Sequence, residues 1–340
     1  MSDFWAGKRV LVTGGSGFIG SHLATMLAEK GARVTVTIHS SRGGEISPDL
    51  SRTLPRNQMA VVDLTRAEDC TEVCKNHDVV VSAAHIDGST SYKKAHPAYI
   101  FRQNLLITLN VLDACRQADV ERLLILSSAE VYSPDANTPI RETEGFRGQP
   151  DSQTIGYAWS KRMSEFAADL YGNQYSLRVG VARPNNVYGP GDHFDTERSR
   201  IIPTLIRRAI EADDAITIWG NGSQVRSFLH VKDLARGLIR LLETSPGPDP
   251  INFGGLEVTT VRQLAELIVR LVGTNVQIVT DASKPSGPQR RVLDIEKAQQ
   301  ILGWRPEVTL ETGLKDTITF FRENYASRDG IRPHVPPVSY

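Results

Sequence analysis

Apolar residues follow two rhythms along this chain. Short unbroken runs, Val10-Leu11-Val12, Met59–Val62, Val79–Ala83 and Leu123–Leu126, have the length and composition of buried strands. Between them apolar residues recur every third or fourth position. Ile19, Leu23, Met26 and Leu27 predict a helix that Gly31 stops. Longer helices are expected from about Pro97 to Gln117 and from about Tyr157 to Tyr171, with a strand near Ser176–Ala182. Strands that alternate with helices specify an α/β fold, a doubly wound parallel sheet covered on both faces.

The rhythm changes after Arg183. "RPNNVYGPGDHFDTERSRIIPTLIRRAI" mixes loops, short strands and a helix, and "HVKDLARGLIRLLE" returns to amphipathic spacing. "SPGPDPINFGG" is a turn-rich connector around a short strand, and from Thr259 a further helix and strand follow. This divides the chain into 1–183 plus about 227–255 for the doubly wound domain. The segments 184–226 and about 256–325 form a smaller α/β lobe, and 326–340 is an extended, proline-bearing tail.

Charge narrows the class. Thirty-nine basic residues balance thirty-nine acidic ones, which argues against a nucleic-acid or membrane footprint. No apolar run reaches the length of a membrane span and the first residues lack a secretory h-region, so the expected location is the cytoplasm. Cys70, Cys74 and Cys115 lack a histidine or a second cysteine pair at zinc spacing, and read as reduced structural thiols with no metal.

The first helix is entered through Gly14, Gly17 and Gly20, with Ser16, Phe18 and Ile19 among them. A strand, a turn of this kind and a helix let backbone amides approach a pyrophosphate at the helix N-terminus, as in a Rossmann-type dinucleotide fold. Such folds usually carry an acid at the end of the second strand for the adenosine ribose. Here Ile38 is followed by His39, Ser40, Ser41 and Arg42, with no acid. Serines and an arginine suit a 2′-phosphate, so NADP(H) is favoured over NAD. Asp63 and Leu64, just after the third strand, stand where such folds hold the adenine edge.

Tyr157 and Lys161, at i and i+4, share one helix face. A nearby ammonium lowers a phenol's pKa, and a value brought toward neutrality is expected for Tyr157. With "LSSAEVY" (126–132), "SAAH" (82–85), "RPNNVYGPGD" (183–192), "WGNGSQVRSFLHVKDLA" (219–235) and "LGWRPEVTLETGL" (302–314), the chain resembles the extended short-chain dehydrogenase/reductase family over nearly its whole length. These are the sugar-nucleotide epimerases, dehydratases and reductases. The resemblance implies Ser128, Tyr157 and Lys161 as the catalytic trio. It implies cofactor contacts at Ala83, Ala84, His85, Pro184 and Asn185 besides the glycine turn. For a nucleotide-diphosphate-sugar it implies His85, Ser128, Ala129, Asn186, Arg200, Trp219, Arg226, Lys284 and Arg290. A homodimer paired through the two long helices is implied as well.

The C-terminal half is most similar to the GDP-L-fucose synthases of that family. Those enzymes use a cysteine and a histidine to epimerise before they reduce, and their positions correspond here to Ala129 and Gly191. Neither can move a proton. Dehydratases of the family place an Asp-Glu pair where this chain has Ala129-Glu130, so Glu130 is a base or only a hydrogen-bonding group. The expectation is an NADPH-dependent reduction of a 4-keto-6-deoxy nucleotide-sugar. The alternatives are an NAD-dependent 4-epimerase, a dehydratase using Glu130, and a non-enzymatic dinucleotide sensor.

Overall fold

The computed structural model describes residues 4–39, 50, 53–195, 199–284 and 287–325. Successive residues of β1 (Arg9–Thr13) point to opposite faces of a sheet and both faces are covered. Val10 and Val12 enter one apolar core and Leu11 another, all three fully buried. That double burial is why the run is uniformly apolar rather than alternating.

The sheet has seven parallel strands. In spatial order they are β11 (Ile251–Phe253), β6 (Val179–Pro184), β5 (Arg122–Leu126), β4 (Val79–Ser82), β1, β2 (Arg33–His39) and β3 (Met59–Val62). The chain runs outward one way through β2 and β3, then returns past β1 to β4. The crevice at the carboxyl ends of β1 and β4 is therefore the switch point where ligands bind in such sheets. Helices Phe18–Glu29 and Val231–Thr244 pack on one face. Helices Ala67–Cys74, Pro97–Gln117 and Ile155–Tyr175 pack on the other. The last of these starts two residues earlier than its apolar spacing shows and runs four residues further.

The lobe has its own core, built by helices Ile201–Glu211, Val261–Val272 and Leu310–Asn324. The remaining strands are short: β7 (Val187–Tyr188) pairs with β10 (Leu229–His230), β8 (Ala215–Trp219) pairs with β13 (Gln277–Asp281), and β9 (Val225–Ser227) lies between β12 (Val258–Thr260) and β14 (Arg290–Arg291). The chain crosses between the two cores more often than the sequence division allows. Ile295, Ala298, Leu302 and Trp304, assigned in sequence to the lobe, join the core beneath the sheet. Trp304 Nε1 donates to the Asp233 carbonyl at 3.0 Å there, which draws the segment onto the helix Val231–Thr244. His22, on the first helix, is 2.7 Å from the Pro190 carbonyl through Nε2 and fastens the glycine turn to the loop that leads into the lobe.

Candidate active site

The glycine turn is shaped by contacts that no larger residue would survive. Gly14 has φ +65°, and a Cβ there would lie 2.8 Å from Ala84 Cα. A Cβ on Gly20 would lie 2.4 Å from the Gly14 carbonyl oxygen. Gly17 caps the helix with no side-chain hydrogen bond, and the first turn carries no acid. Its leading amides are left for an anion, at the positive end of the helix. The Thr13 hydroxyl accepts from the amides of both Ala83 and Ala84 at 3.1 Å, holding the end of β4 against the turn. The residues thus fit a dinucleotide's pyrophosphate by shape and by polarity.

The rest of the expected cofactor surface lies along the same edge. Asp63 follows β3, and its Oδ1 accepts from the amide and hydroxyl of Thr65 at 3.0 and 2.7 Å. Burial pushes this carboxyl up, but the Thr65 hydrogen bonds and the nearby His39 and Arg66 leave it below the ordinary range. Leu64 is buried, with its carbonyl taken by Asn110 Nδ2. Pro184 ends β6 opposite Phe253, and Asn185 is buried with its amide nitrogen Nδ2 unpartnered. His39 closes β2, while Ser40, Ser41 and Arg42 lie outside the described residues.

Tyr157 sits in the third turn-position of its helix, 4 % exposed, with the Ser128 hydroxyl near enough to its own to favour ionisation. Ser128 Oγ also accepts from the Glu130 amide at 3.1 Å, closing a short 3-10 turn over Ala129–Val131. One turn further along, Lys161 Nζ is 5.5 Å from the Tyr157 ring centre and donates to the Leu126 carbonyl at 2.7 Å. A buried network sets these two elements against each other. Arg183 of β6 pairs with Glu165 at 2.6 Å and donates to the Tyr132 hydroxyl at 2.9 Å, and Glu165 takes the hydroxyl of Ser127. Breaking one member of such a network strands a buried charge, so its geometry is held firmly.

The electrostatics differ from the helix-spacing argument. Burial, with the carboxylates of Asp87 and Glu130, pushes the Tyr157 phenol well above its ordinary value, although the Ser128 hydroxyl opposes them. Lys161 moves the other way, to about 8, because burial disfavours its charge more than Asp87 and Glu165 restore it. The i, i+4 spacing brought the two groups together as expected, but desolvation outweighs their pairing. His85 Nδ1 donates to the Ala83 carbonyl at 2.8 Å, and its ring centre is 6.0 Å from that of Tyr157. Burial and the Lys161 charge bring it to about 3, so the imidazole is neutral at physiological pH.

Two members of this site, Lys93 and Asp87, carried no signal in the sequence. Lys93 is only 6 % exposed, with Nζ 2.7 Å from Asp87 Oδ1 and 2.7 Å from Glu130 Oε1. It lies 4.2 Å from the Tyr157 ring centre. "YKKA" reads as a solvated helix face, and no local pattern tells which lysine turns inward.

The residues expected to hold the sugar nucleotide divide into groups. Arg200 pairs with the buried Asp192 at 3.0 Å and lies 5.6 Å over the Phe18 ring, between the glycine turn and the lobe. Burial lowers and the Asp192 and Asp87 carboxylates raise its pKa, leaving it firmly cationic. Asn186, at φ +44°, gives its side-chain amide to the Ser227 carbonyl at 3.0 Å. Arg226 is brought down to about 10 by burial and by the like charge of Arg291. The strand register sets Arg291 opposite Arg226, while the expected Arg290 faces Val225 and is exposed. Arg291 Nη2 is buried without a hydrogen-bond partner. Arg226 Nη1 donates to the Val225 carbonyl at 2.8 Å, so of the two guanidiniums it is Arg291 that keeps a buried nitrogen without an acceptor. Trp219 and Lys284 share an open hollow of about 400 Å³ with Arg208 and Asp281 on the lobe. Ala129 is buried, and Gly191 offers no side chain at φ +82°.

Among the described residues no group of three potential metal ligands comes together, and no helix is long and apolar enough to cross a membrane. The chain matches the profile of the NAD dependent epimerase/dehydratase family over residues 10–254. It is 36 % identical over 325 residues to a dTDP-4-dehydro-6-deoxy-D-allose reductase of a Streptomyces species, covering 94 % of this chain and 98 % of that one. It is 32 % identical over 330 residues to the GDP-L-fucose synthase of Escherichia coli K12, covering 93 % and 97 %. A UDP-glucose 4-epimerase from Thermotoga maritima, solved with UDP-glucose, superposes with a TM-score of 0.83 at 27 % identity, covering 93 % and 99 %. With the glycine cradle, these similarities establish that the chain is an NAD(P)-dependent enzyme and belongs to the NAD dependent epimerase/dehydratase family.

Proposed function

We propose that the chain reduces the 4-keto group of a 4-keto-6-deoxy nucleotide-sugar with NADPH. The observation that carries this reading is the set of groups around Tyr157. A hydroxyl at Ser128 and an ammonium at Lys161 serve a carbonyl. Ala129 and Gly191 hold no acid or base for the carbons beside it. The relative named as a dTDP-4-dehydro-6-deoxy-D-allose reductase supports the same chemistry.

When bound, NADPH supplies the hydride. Ser128 hydrogen-bonds the carbonyl oxygen, where negative charge develops, and Tyr157 gives that oxygen its proton. Burial and two carboxylates keep the phenol protonated, which is the form a proton donor needs. Lys161 spends one of its three protons on the Leu126 carbonyl and has two left for the nicotinamide ribose. Arg226 and Arg291 take the diphosphate. Phe166 and Leu170, exposed on the helix Ile155–Tyr175, support a homodimer paired through the long helices.

The preference for NADPH rests on Ser40, Ser41 and Arg42. Arg42→Ala should cost NADPH roughly tenfold or more in affinity and leave NADH nearly unchanged, the scale of one charge-assisted contact. Calorimetry that finds equal affinities in the unmutated protein would remove the preference. A second reading, a 4-epimerase that recycles NAD, is favoured by the likeness to the UDP-glucose 4-epimerase. Single-turnover absorbance with a 4-keto sugar separates the two. Net loss of NADPH, one per sugar, is expected, and turnover without net loss would favour the epimerase.

A further inference from the structure

Lys93 does more than fill space beneath Tyr157. Burying an ammonium is expensive, and here burial is outweighed by Asp87 and Glu130, which hold Lys93 above its ordinary range. Asp87 is itself pushed up by burial, yet Lys93, His85 and Arg200 bring it well below the carboxylate range. Buried ion clusters are seldom the most stable way to fill a core, and this one stands at the reactive tyrosine. Two carboxylates share one ammonium, so the acceptors outnumber the donors. Glu130 Oε1 is taken by Lys93, whereas Glu130 Oε2 is buried and has no hydrogen-bond partner. A carboxylate oxygen in that state loses hydration without replacement, at a cost a ligand hydroxyl would relieve. The carboxylate that carries it is held 2.7 Å from Lys93 Nζ, which itself lies 4.2 Å from the Tyr157 ring centre, so it stands beside the reactive tyrosine.

We propose that Lys93 is a positioning residue that clamps Glu130, so that Glu130 Oε2 accepts a hydrogen bond from a hydroxyl on the sugar carbon next to the carbonyl. The clamp selects 4-keto sugars that carry a 3-hydroxyl over their 3-deoxy counterparts. This rests on the ketoreductase reading and extends it to the choice of substrate. It also gives Glu130 a binding role in place of proton abstraction.

The test compares a 4-keto-6-deoxy nucleotide-sugar with its 3-deoxy analogue. NADPH oxidation and calorimetric affinity are measured for both, in the unmutated protein and in Lys93→Met, Lys93→Arg and Glu130→Gln. The unmutated protein should prefer the 3-hydroxyl sugar by roughly tenfold or more, the scale of a charge-assisted hydrogen bond. Lys93→Met should erase most of that preference, chiefly through KM, and Lys93→Arg should restore part of it. In Glu130→Gln, Lys93 claims the amide oxygen and leaves an NH₂ facing the hydroxyl, so the preference should also fall. Glu130→Gln is isosteric and carries the test if Lys93→Met does not fold. No preference in the unmutated protein, or variants that weaken both sugars equally, would overturn the proposal. If neither sugar is reduced, the ketoreductase reading fails on its own, and the affinity contrast still decides the clamp.

Discussion

The two ends of the cleft are built from different materials. The glycine turn is a steric device: Gly14 and Gly20 matter because backbone from Ala84 and from the turn itself occupies the space a side chain would need. The Asp87–Lys93–Glu130 cluster is an electrostatic device, in which three charges from separate loops and helices meet against one aromatic ring. The steric device is marked in the sequence by the side chains it lacks, even where the backbone that fills the space, at Ala84, comes from far along the chain. Charge clusters are non-local, and each member reads in isolation as a surface residue.

The largest expected effect falls between the two devices. Tyr157→Phe keeps the ring that packs under Lys93 and removes only the phenolic hydroxyl. Turnover should fall by roughly 10²–10⁴-fold, the range for a positioned acid–base group, while NADPH affinity stays within a few fold. Near-unmutated turnover of this variant would show that Tyr157 is not the proton donor.

Gly20→Ala tests the steric end alone. A methyl 2.4 Å from the Gly14 carbonyl forces the turn open. Overpacking of this kind costs about 1–3 kcal/mol, so NADPH affinity should drop on the order of 10- to 100-fold by calorimetry. Catalysis at saturating NADPH should suffer much less. An affinity unchanged by the methyl would mean the pyrophosphate lies elsewhere.

A smaller effect should separate neighbours in the lobe. Arg291→Ala removes a half-buried guanidinium beside Arg226 and should weaken nucleotide-sugar binding by roughly tenfold. Arg290→Ala, on an exposed side chain, should change it by less than about twofold. The reverse ranking would show that the strand register does not select the phosphate ligand.

The same contrast separates what the sequence displays from what it hides. The sheet, its parallel order and the glycine turn were legible because each is written in a local pattern of apolar runs and glycines. The helix face that joins Tyr157 to Lys161 was legible by its spacing. The direction of the Tyr157 shift was not. It depends on desolvation and on Asp87 and Glu130, and Asp87 offered no periodic cue. Lys93 was hidden because Lys94, beside it, has the same chemistry and stays exposed. Arg291 was missed in favour of Arg290 because a strand only two residues long shows no alternation to read. Position along the chain puts Trp304 with the lobe, and the contact that draws it to Asp233 joins positions 71 apart, beyond any local pattern.

The central claim is that this site moves a hydride and a proton at one carbonyl and exchanges no proton at the carbons beside it. It is tested most directly by turning over a 4-keto-6-deoxy nucleotide-sugar with NADPH in heavy water and locating deuterium in the product by mass spectrometry. Consumption of one NADPH per sugar, with no carbon-bound deuterium, is the predicted result. Deuterium at a carbon adjoining C4, lost again in Glu130→Gln, would contradict the account and make Glu130 a base.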